Sequence, residues 1–226
     1  MPAGESDRYT PPTLDVRHIA LEGPIGVGKS VLAERLAARL DATLVLEDTE
    51  NPFLADFYAD RPGAGLQAQL FYLLARHRQQ SALRQSDLFS QATICDYMFD
   101  RDKIYAYLNL DDNELFIYQR LFELLARDLA APDLVIYLQT PTDLLRKRLK
   151  ERARRAESPR PMPADDYLAE LNEAYNHFFF HYTTTPLLVI ETSHFDLSWG
   201  EDAVDDLLRQ VRSMGRGTQY YVPRTT

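Results

Sequence analysis

Eight consecutive residues, Gly23-Pro24-Ile25-Gly26-Val27-Gly28-Lys29-Ser30, fit G-x-x-x-x-G-K-[ST] at every position. The chemistry of that spacing is anion binding. Glycines let the backbone wrap closely around phosphate oxygens, so that successive N–H groups and a helix N-terminus face the anion. A lysine at the position of Lys29 reaches β- and γ-phosphates, and a hydroxyl at the position of Ser30 ligates Mg²⁺. The loop therefore predicts binding of a nucleoside triphosphate with Mg²⁺, but not yet the reaction. A GTPase needs a guanine-reading N-K-x-D, and no asparagine here is followed by lysine. Asp60-Arg61-Pro62-Gly63 matches D-x-x-G but lies in a proline-containing loop and is set aside. A motor or helicase core needs a longer chain and basic nucleic-acid surfaces. Small-molecule kinases remain.

A second charged feature suits that class. Between Arg146 and Arg155 seven of ten residues are basic: Arg146, Lys147, Arg148, Lys150, Arg152, Arg154 and Arg155. Arg148, Arg152 and Arg155 have i, i+4, i+7 spacing and so share one helix face. Kinases close an arginine-bearing lid over the transferring phosphate, whose charge the guanidinium forks stabilise. A solvated helix face or a nucleic-acid patch is the plainer reading of such a run. The complete phosphate loop favours the lid.

These groups must be carried by elements. Short Ile-, Val- and Leu-rich runs at 17–22, 43–47, 92–96, 134–139 and 187–191 read as strands buried on both faces. Amphipathic periods at 30–40, 67–83, 112–129, 143–155, 165–182 and 202–214 read as helices. The alternation predicts a three-layer α/β/α fold of the P-loop NTPase type, with a five-stranded parallel sheet and an arginine-bearing lid. Ligands of such sheets bind at the carboxyl ends of the strands. Residues 1–13 read as a loose leader, 14–214 as the kinase domain and 215–226 as a tail, in which Tyr220, Tyr221 and Val222 have apolar surface to dock.

Composition limits the partners. Against 25 Lys+Arg stand 34 Asp+Glu, a net charge of −9 over 226 residues. That argues against a surface that grips a nucleic-acid polymer. The single cysteine, Cys95, permits no intramolecular disulfide and fits a reducing, cytoplasmic setting. It lies in a predicted strand and reads as a buried apolar residue. No apolar run approaches the length of a membrane span. His177 and His181 have zinc-compatible spacing, but no third ligand is evident and three phenylalanines separate them, so a packed helix is expected. The aromatic stretches Phe71-Tyr72 and Phe116–Tyr118 read either as core or as a helix–helix dimer face.

Four blocks, taken in order, resemble the deoxynucleoside kinase family, and in particular its bacterial deoxyadenosine/deoxyguanosine kinase branch. They are the phosphate loop with Glu22 before it, and Leu46-Glu47-Asp48-Thr49-Glu50-Asn51-Pro52-Phe53 followed by Phe57-Tyr58. Next come Gln69 with Arg76, then Cys95-Asp96 with Asp102. Last comes Arg148-x-x-x-Arg152-x-Arg154-x-x-Glu157 followed by Asp166-Tyr167-Leu168. The resemblance implies phosphoryl transfer from ATP to a deoxynucleoside 5′-hydroxyl, and a homodimer. It makes Glu47 the general base, with Asp48 and Glu50 as rivals. Lys29, Arg148, Arg152 and Arg154 supply catalytic positive charge, and Ser30 and Asp96 hold Mg²⁺. Gln69, Arg76 and Asp102 read the base, while Tyr58 and Glu157 hold the sugar 3′-hydroxyl.

The chain departs from the family pattern in three places. The acidic residue ending the third strand is followed by Tyr97 where an arginine is expected; Arg101 or Lys103 is the candidate replacement. The spacing from Glu47 to Asn51-Pro52 is one residue short, and Ala156 replaces a second lid acid. Two rivals follow. One is a thymidylate-type nucleoside monophosphate kinase, which shares the loop and the lid. The other is a nucleotide-binding regulator without catalysis.

Overall fold

The structure is a computed structural model that describes residues 16–47, 50–86, 92–155, 163–194 and 198–223. Alternation within the apolar strands decides its layers. In β1 (His18–Glu22), Ile19 and Leu21 enter one core while Ala20 enters another. The same split recurs in β4 (Leu134–Gln139), where Leu134, Ile136 and Leu138 part from Val135 and Tyr137. In β5 (Leu187–Glu191), Leu188 and Ile190 part from Leu187 and Val189. A strand that feeds two cores must have helices on both faces.

One face is covered by α1 (Lys29–Leu40), through Leu32, Ala33, Leu36 and Ala37, and by α8 (Glu201–Ser213), through Val204, Leu207, Leu208 and Val211. The other is covered by α4 (Arg101–Asn109) and α7 (Asp165–Phe180), with Ile104, Leu171, Tyr175 and Phe179 against the sheet. Tyr137 stacks on Phe179 with ring centroids 4.3 Å apart. Outside this layer α3 (Ala64–Ser86) and α5 (Asp112–Ala126) close a smaller core of Leu73, Phe99, Ala106, Tyr118 and Phe122. The start of α5 is fixed by a capping box: Asp111 Oδ1 accepts from Asn113 N and Glu114 N, both at 2.9 Å, while Glu114 reaches back to Asp111 N.

With β2 (Thr43–Val45), β3 (Thr93–Cys95) and β6 (Thr218–Tyr221), the described residues form a six-stranded sheet of order β2-β3-β1-β4-β5-β6. Every neighbouring pair is parallel. This corrects the expectation of five strands. Thr218-Gln219-Tyr220-Tyr221 has no apolar run to mark a buried strand, yet it pairs with Leu187–Glu191 at the sheet edge, where alternate residues meet solvent. Part of the expected tail thus belongs to the sheet. Two helices also lie in segments to which the sequence pattern assigned no element, α2 (Leu54–Tyr58) and α4. The former helical period 112–129 ends at Ala126, and α6 (Thr142–Arg155) agrees with its prediction to one residue.

The chain passes from β3 on one side of β1 to β4 on the other. The crevice at this crossing is where a doubly wound sheet offers its ligand site. Glu22, Glu47 and Asp96 all stand at or just past carboxyl ends of strands there. Among the described residues no helix is long and apolar enough to cross a membrane.

Candidate active site

The phosphate loop joins β1 to α1. Gly23 has φ +145°, and a Cβ there would sit 2.6 Å from Leu138 O, so only glycine lets the loop pass the end of β4. Gly28 caps α1 in the left-handed region at φ +104°. Val27 is fully buried, and Ile25 packs against both cores, so the loop's apolar residues anchor it. Lys29 Nζ donates to Gly23 O at 2.6 Å and Pro24 O at 3.3 Å. Burial and then the neighbouring Arg101 charge lower the Lys29 pKa to about 8, against the pull of Glu22, Glu47 and Asp96.

Ser30 and Asp96 are brought together: Ser30 Oγ donates to Asp96 Oδ2 at 2.7 Å. Asp96 Oδ1 in turn accepts from Glu47 N at 2.7 Å. One carboxylate on β3's end thereby ties the first turn of α1 to the segment after β2. A hydroxyl and a carboxylate are hard oxygen donors that suit Mg²⁺. No group of three or more His, Cys, Asp or Glu able to hold a metal occurs among the described residues.

Glu47 lies between two arginines. Its Oε1 accepts from Arg76 Nε at 3.1 Å and from Arg76 Nη2, and its Oε2 accepts from Arg101 Nη1 at 2.6 Å. Burial alone would raise its pKa; Arg101, Arg76 and Lys29 outweigh burial and hold it down to about 2. Arg76 also donates through Nη1 to Asp102 Oδ1 and lies 4.9 Å from the centre of the Tyr72 ring. Burial, then Glu47, push the Tyr72 hydroxyl up to about 12. Of the rival bases, Asp48 lies outside the described residues.

Gln69 and Arg76 are seven apart on α3 and so share a face. Gln69 is buried although it reads from sequence as an exposed helix residue, and its Oε1 has no partner among the described residues. The same holds for Asp102 Oδ2. Tyr58, at the end of α2, is 44% exposed rather than in the core.

The arginine-rich run forms α6. Arg148 is bound at the sheet edge: Nη1 donates to Thr140 Oγ1 at 3.2 Å and Nη2 donates to Thr192 O at 2.8 Å. Arg146 pairs with Asp143 at 2.7 Å and Asp165 at 2.9 Å. Arg152, Arg154 and Arg155 are exposed near the helix end. The predicted lid face is therefore split, with Arg148 bound at the strand ends and Arg152, Arg154 and Arg155 at the exposed end of the helix. Glu157 lies outside the described residues.

Three site residues carry little sequence signal. Glu22 is fully buried at the end of β1, where Oε1 accepts from Met98 N at 2.8 Å and Oε2 from Gly23 N at 3.2 Å; burial raises its pKa. Its signal is a charge closing an apolar strand. Arg101, in the first turn of α4, reaches Glu47, whereas Lys103 turns to Asp100 and the Phe122 ring. Gln79 accepts from Tyr97 OH at 2.7 Å and donates to Leu46 O at 2.9 Å, which fixes the residue before Glu47. Tyr97 thus takes no part in the charge cluster. Cys95 is buried as expected, and the His177 and His181 rings pack edge to face at 4.7 Å.

This arrangement juxtaposes a phosphate-loop cradle, a carboxylate held between two arginines and a buried pair of polar acceptors, which suits a kinase for a small hydroxyl-bearing acceptor. Comparison with known proteins agrees. The chain is 34% identical over 140 residues to the deoxyguanosine kinase of Bacillus subtilis (strain 168), covering 60% of this chain and 67% of that one. It is 32% identical over 172 residues to the deoxyadenosine kinase of Dictyostelium discoideum, covering 74% and 68%. The deoxyadenosine kinase of Lactobacillus acidophilus is 28% identical over 209 residues, covering 87% and 95%. In fold, it superposes on a deoxyadenosine kinase from M. mycoides with bound products at a TM-score of 0.71 and 23% identity, covering 87% of this chain and 99% of that one. These matches favour a nucleoside acceptor over the thymidylate-type reading. The model of the family described as "Deoxynucleoside kinase" matches residues 19–215, and the chain belongs to that family.

Proposed function

We propose that this enzyme transfers the γ-phosphoryl group of ATP to the 5′-hydroxyl of a deoxynucleoside, preferably deoxyadenosine, for cytoplasmic nucleotide salvage. The observation that carries the base preference is the pair of buried acceptors beside Glu47. Asp102 Oδ2 and Gln69 Oε1 lack partners among the described residues, while Arg76 is already engaged by Glu47 and Asp102. An ionised carboxylate only accepts hydrogen bonds. At purine C6 and pyrimidine C4, adenine and cytosine carry an amino group, whereas guanine and thymine carry a carbonyl oxygen. The relatives named deoxyadenosine kinases support adenine between the two.

Catalysis on this reading is positioning plus charge neutralisation. As the 5′-oxygen attacks the γ-phosphorus, its proton passes to the Glu47 carboxylate and ADP leaves. Lys29 trades its bonds to Gly23 and Pro24 for β- and γ-oxygens. Ser30 and Asp96 would hold Mg²⁺, and the ion would supply charge neutralisation at the phosphate oxygens. Arg152 and Arg154 close over the transferring group from the exposed end of α6, and Arg148 braces the helix against Thr140 and Thr192. Tyr58 and Glu157 hold the 3′-hydroxyl.

The functional unit is a homodimer built on α3 and α5. Leu74 on the former and Phe116, Ile117, Leu121 and Leu124 on the latter are exposed, a contiguous apolar set suited to a second copy. A steady-state panel of the four deoxynucleosides and dTMP tests the reaction. Highest kcat/KM on deoxyadenosine is expected. Turnover of dTMP alone, or tight ATP binding without turnover of any nucleoside, would overturn it.

A further inference from the structure

The charge cluster contains one group, Arg101, whose remaining donors the mechanism above leaves unused. Arg101 is buried, and its Nη1 is committed to Glu47 Oε2 at 2.6 Å. The rest of its guanidinium is not. Nε is buried without a partner among the described residues, and Nη2 has only a long 3.4 Å contact with Tyr105 OH. A buried N–H left unpaired is costly unless a ligand completes it. Arg76, the other arginine on Glu47, has a bond at each of its three nitrogens.

Position matters as much as spare donors. Arg101 bonds the Glu47 carboxylate, Glu47 N donates to Asp96 Oδ1, and Asp96 Oδ2 accepts from Ser30 Oγ of the phosphate loop, so Arg101 stands two residues away from the loop along this hydrogen-bonded chain. Its charge also acts on Lys29 and Glu22 at the same loop. The Tyr105 ring, 5.3 Å from the guanidinium carbon, supports the plane of the fork. The backbone around it is the first turn of α4, a rigid element rather than a mobile lid.

We infer that Arg101 is a catalytic residue whose free Nε and Nη2 bind the equatorial oxygens of the transferring phosphoryl group while Nη1 orients Glu47. This rests on the kinase reading above. In the step, the bond from phosphorus to the β,γ-bridging oxygen breaks as the bond to the 5′-oxygen forms. The 5′-proton goes to Glu47, and Arg101 gains and loses no proton. Arg101 thus links base and electrophile through one planar group, so that the carboxylate and the phosphorus hold a fixed separation. The lid arginines then add charge from outside a site that α4 has already polarised.

Steady-state kinetics on Arg101→Lys, Arg101→Gln and Arg101→Ala, with thermal unfolding of each, test this. Lysine keeps the charge beside Glu47 and loses the fork. Arg101→Lys is expected to lose about 10- to 100-fold in kcat, with KM for deoxyadenosine within about threefold and an unfolding midpoint near that of the wild type. Arg101→Gln is expected to lose about 10³-fold in kcat. Millimolar guanidinium ions should restore part of kcat to Arg101→Ala, which a purely structural role would not allow. Lys103→Gln serves as the control and should keep kcat within about twofold. Wild-type kcat in Arg101→Lys, or no guanidinium rescue of Arg101→Ala, overturns the inference alone. A wild-type protein with no turnover of any deoxynucleoside overturns the kinase reading together with it.

Discussion

Replacing Glu47 by glutamine should expose the double duty of its carboxylate. Both of its oxygens are bound by guanidinium groups, and its pKa falls from an ordinary 4.5 to about 2. A depression of that size corresponds to about 3 kcal/mol of native-state stabilisation at neutral pH. For a chain of this length each kcal/mol shifts the unfolding midpoint by about 2–4 °C, so Glu47→Gln should unfold about 6–12 °C lower near pH 7. The sign of the pH dependence is fixed. A depressed carboxylate stabilises fully above its unfolded pKa and loses that contribution as pH falls through the folded value. The gap between wild type and Glu47→Gln should therefore be constant near neutrality and close between about pH 4.5 and pH 2. Turnover of deoxyadenosine should fall about 10²-fold or more, because the amide takes no proton. ATP affinity, measured by calorimetry, should stay within a few-fold, since Lys29 and the loop backbone are untouched. A stability gap that persists unchanged to about pH 3 would refute the charge argument. Turnover within about threefold of wild type would move the base to another carboxylate.

Three further outcomes are expected. Gly23→Ala places a Cβ 2.6 Å from Leu138 O at a φ of +145°, so it should cost more than about 2 kcal/mol and weaken ATP binding; an unchanged melting curve would contradict that geometry. Asp102→Asn turns a buried acceptor into a group that also donates. It should lower kcat/KM for deoxyadenosine relative to deoxyguanosine by about 10-fold or more, and an unaltered ratio in a mixed-substrate assay would remove Asp102 from base reading. Leu124→Glu places a charge on a side chain that is 57% exposed in the single chain. Sedimentation should then report monomers with little loss of monomer stability, and an unshifted sedimentation coefficient would place the dimer face elsewhere.

Legibility from the sequence followed the physics of each signal. The phosphate loop was fully readable because its demands, close backbone approach and a fixed lysine, act over eight adjacent residues. The four inner strands were readable because burial on both faces leaves runs of Ile, Val and Leu, and β2, although an edge strand with Thr43 and Leu44 exposed, was readable from its Leu44-Val45-Leu46 run. β6 was not, since an edge strand with one wet face needs no such run and Thr218-Gln219-Tyr220-Tyr221 supplies none. Arg101 is another case. Its helix begins in a stretch of Asp100-Arg101-Asp102-Lys103 that looks like a solvated charged turn, and only the tertiary approach of Glu47 after β2 gives the arginine a partner. The burial of Gln69 depended likewise on how α3 packs, not on its own periodicity. Arg148 shows the converse: its spacing with Arg152 was read correctly, but its hydrogen bonds to Thr140 and Thr192 come from loops about 8 and 44 residues away.

The sixth strand has a consequence for handling the molecule. β5, the strand it covers, is Leu187-Leu188-Val189-Ile190-Glu191, and four of its five residues are buried. Its outer ladder is capped only by a segment that begins at Gly217, with Gly217 O accepting from Leu187 N at 3.0 Å. A chain clipped by a protease just after Met214 would keep the phosphate loop and the base, yet present a flat aliphatic edge with free N–H and C=O groups. Such an edge recruits other strands. Loss of a dozen polar-looking residues far from the crevice would then register as precipitation before it registered as lost turnover.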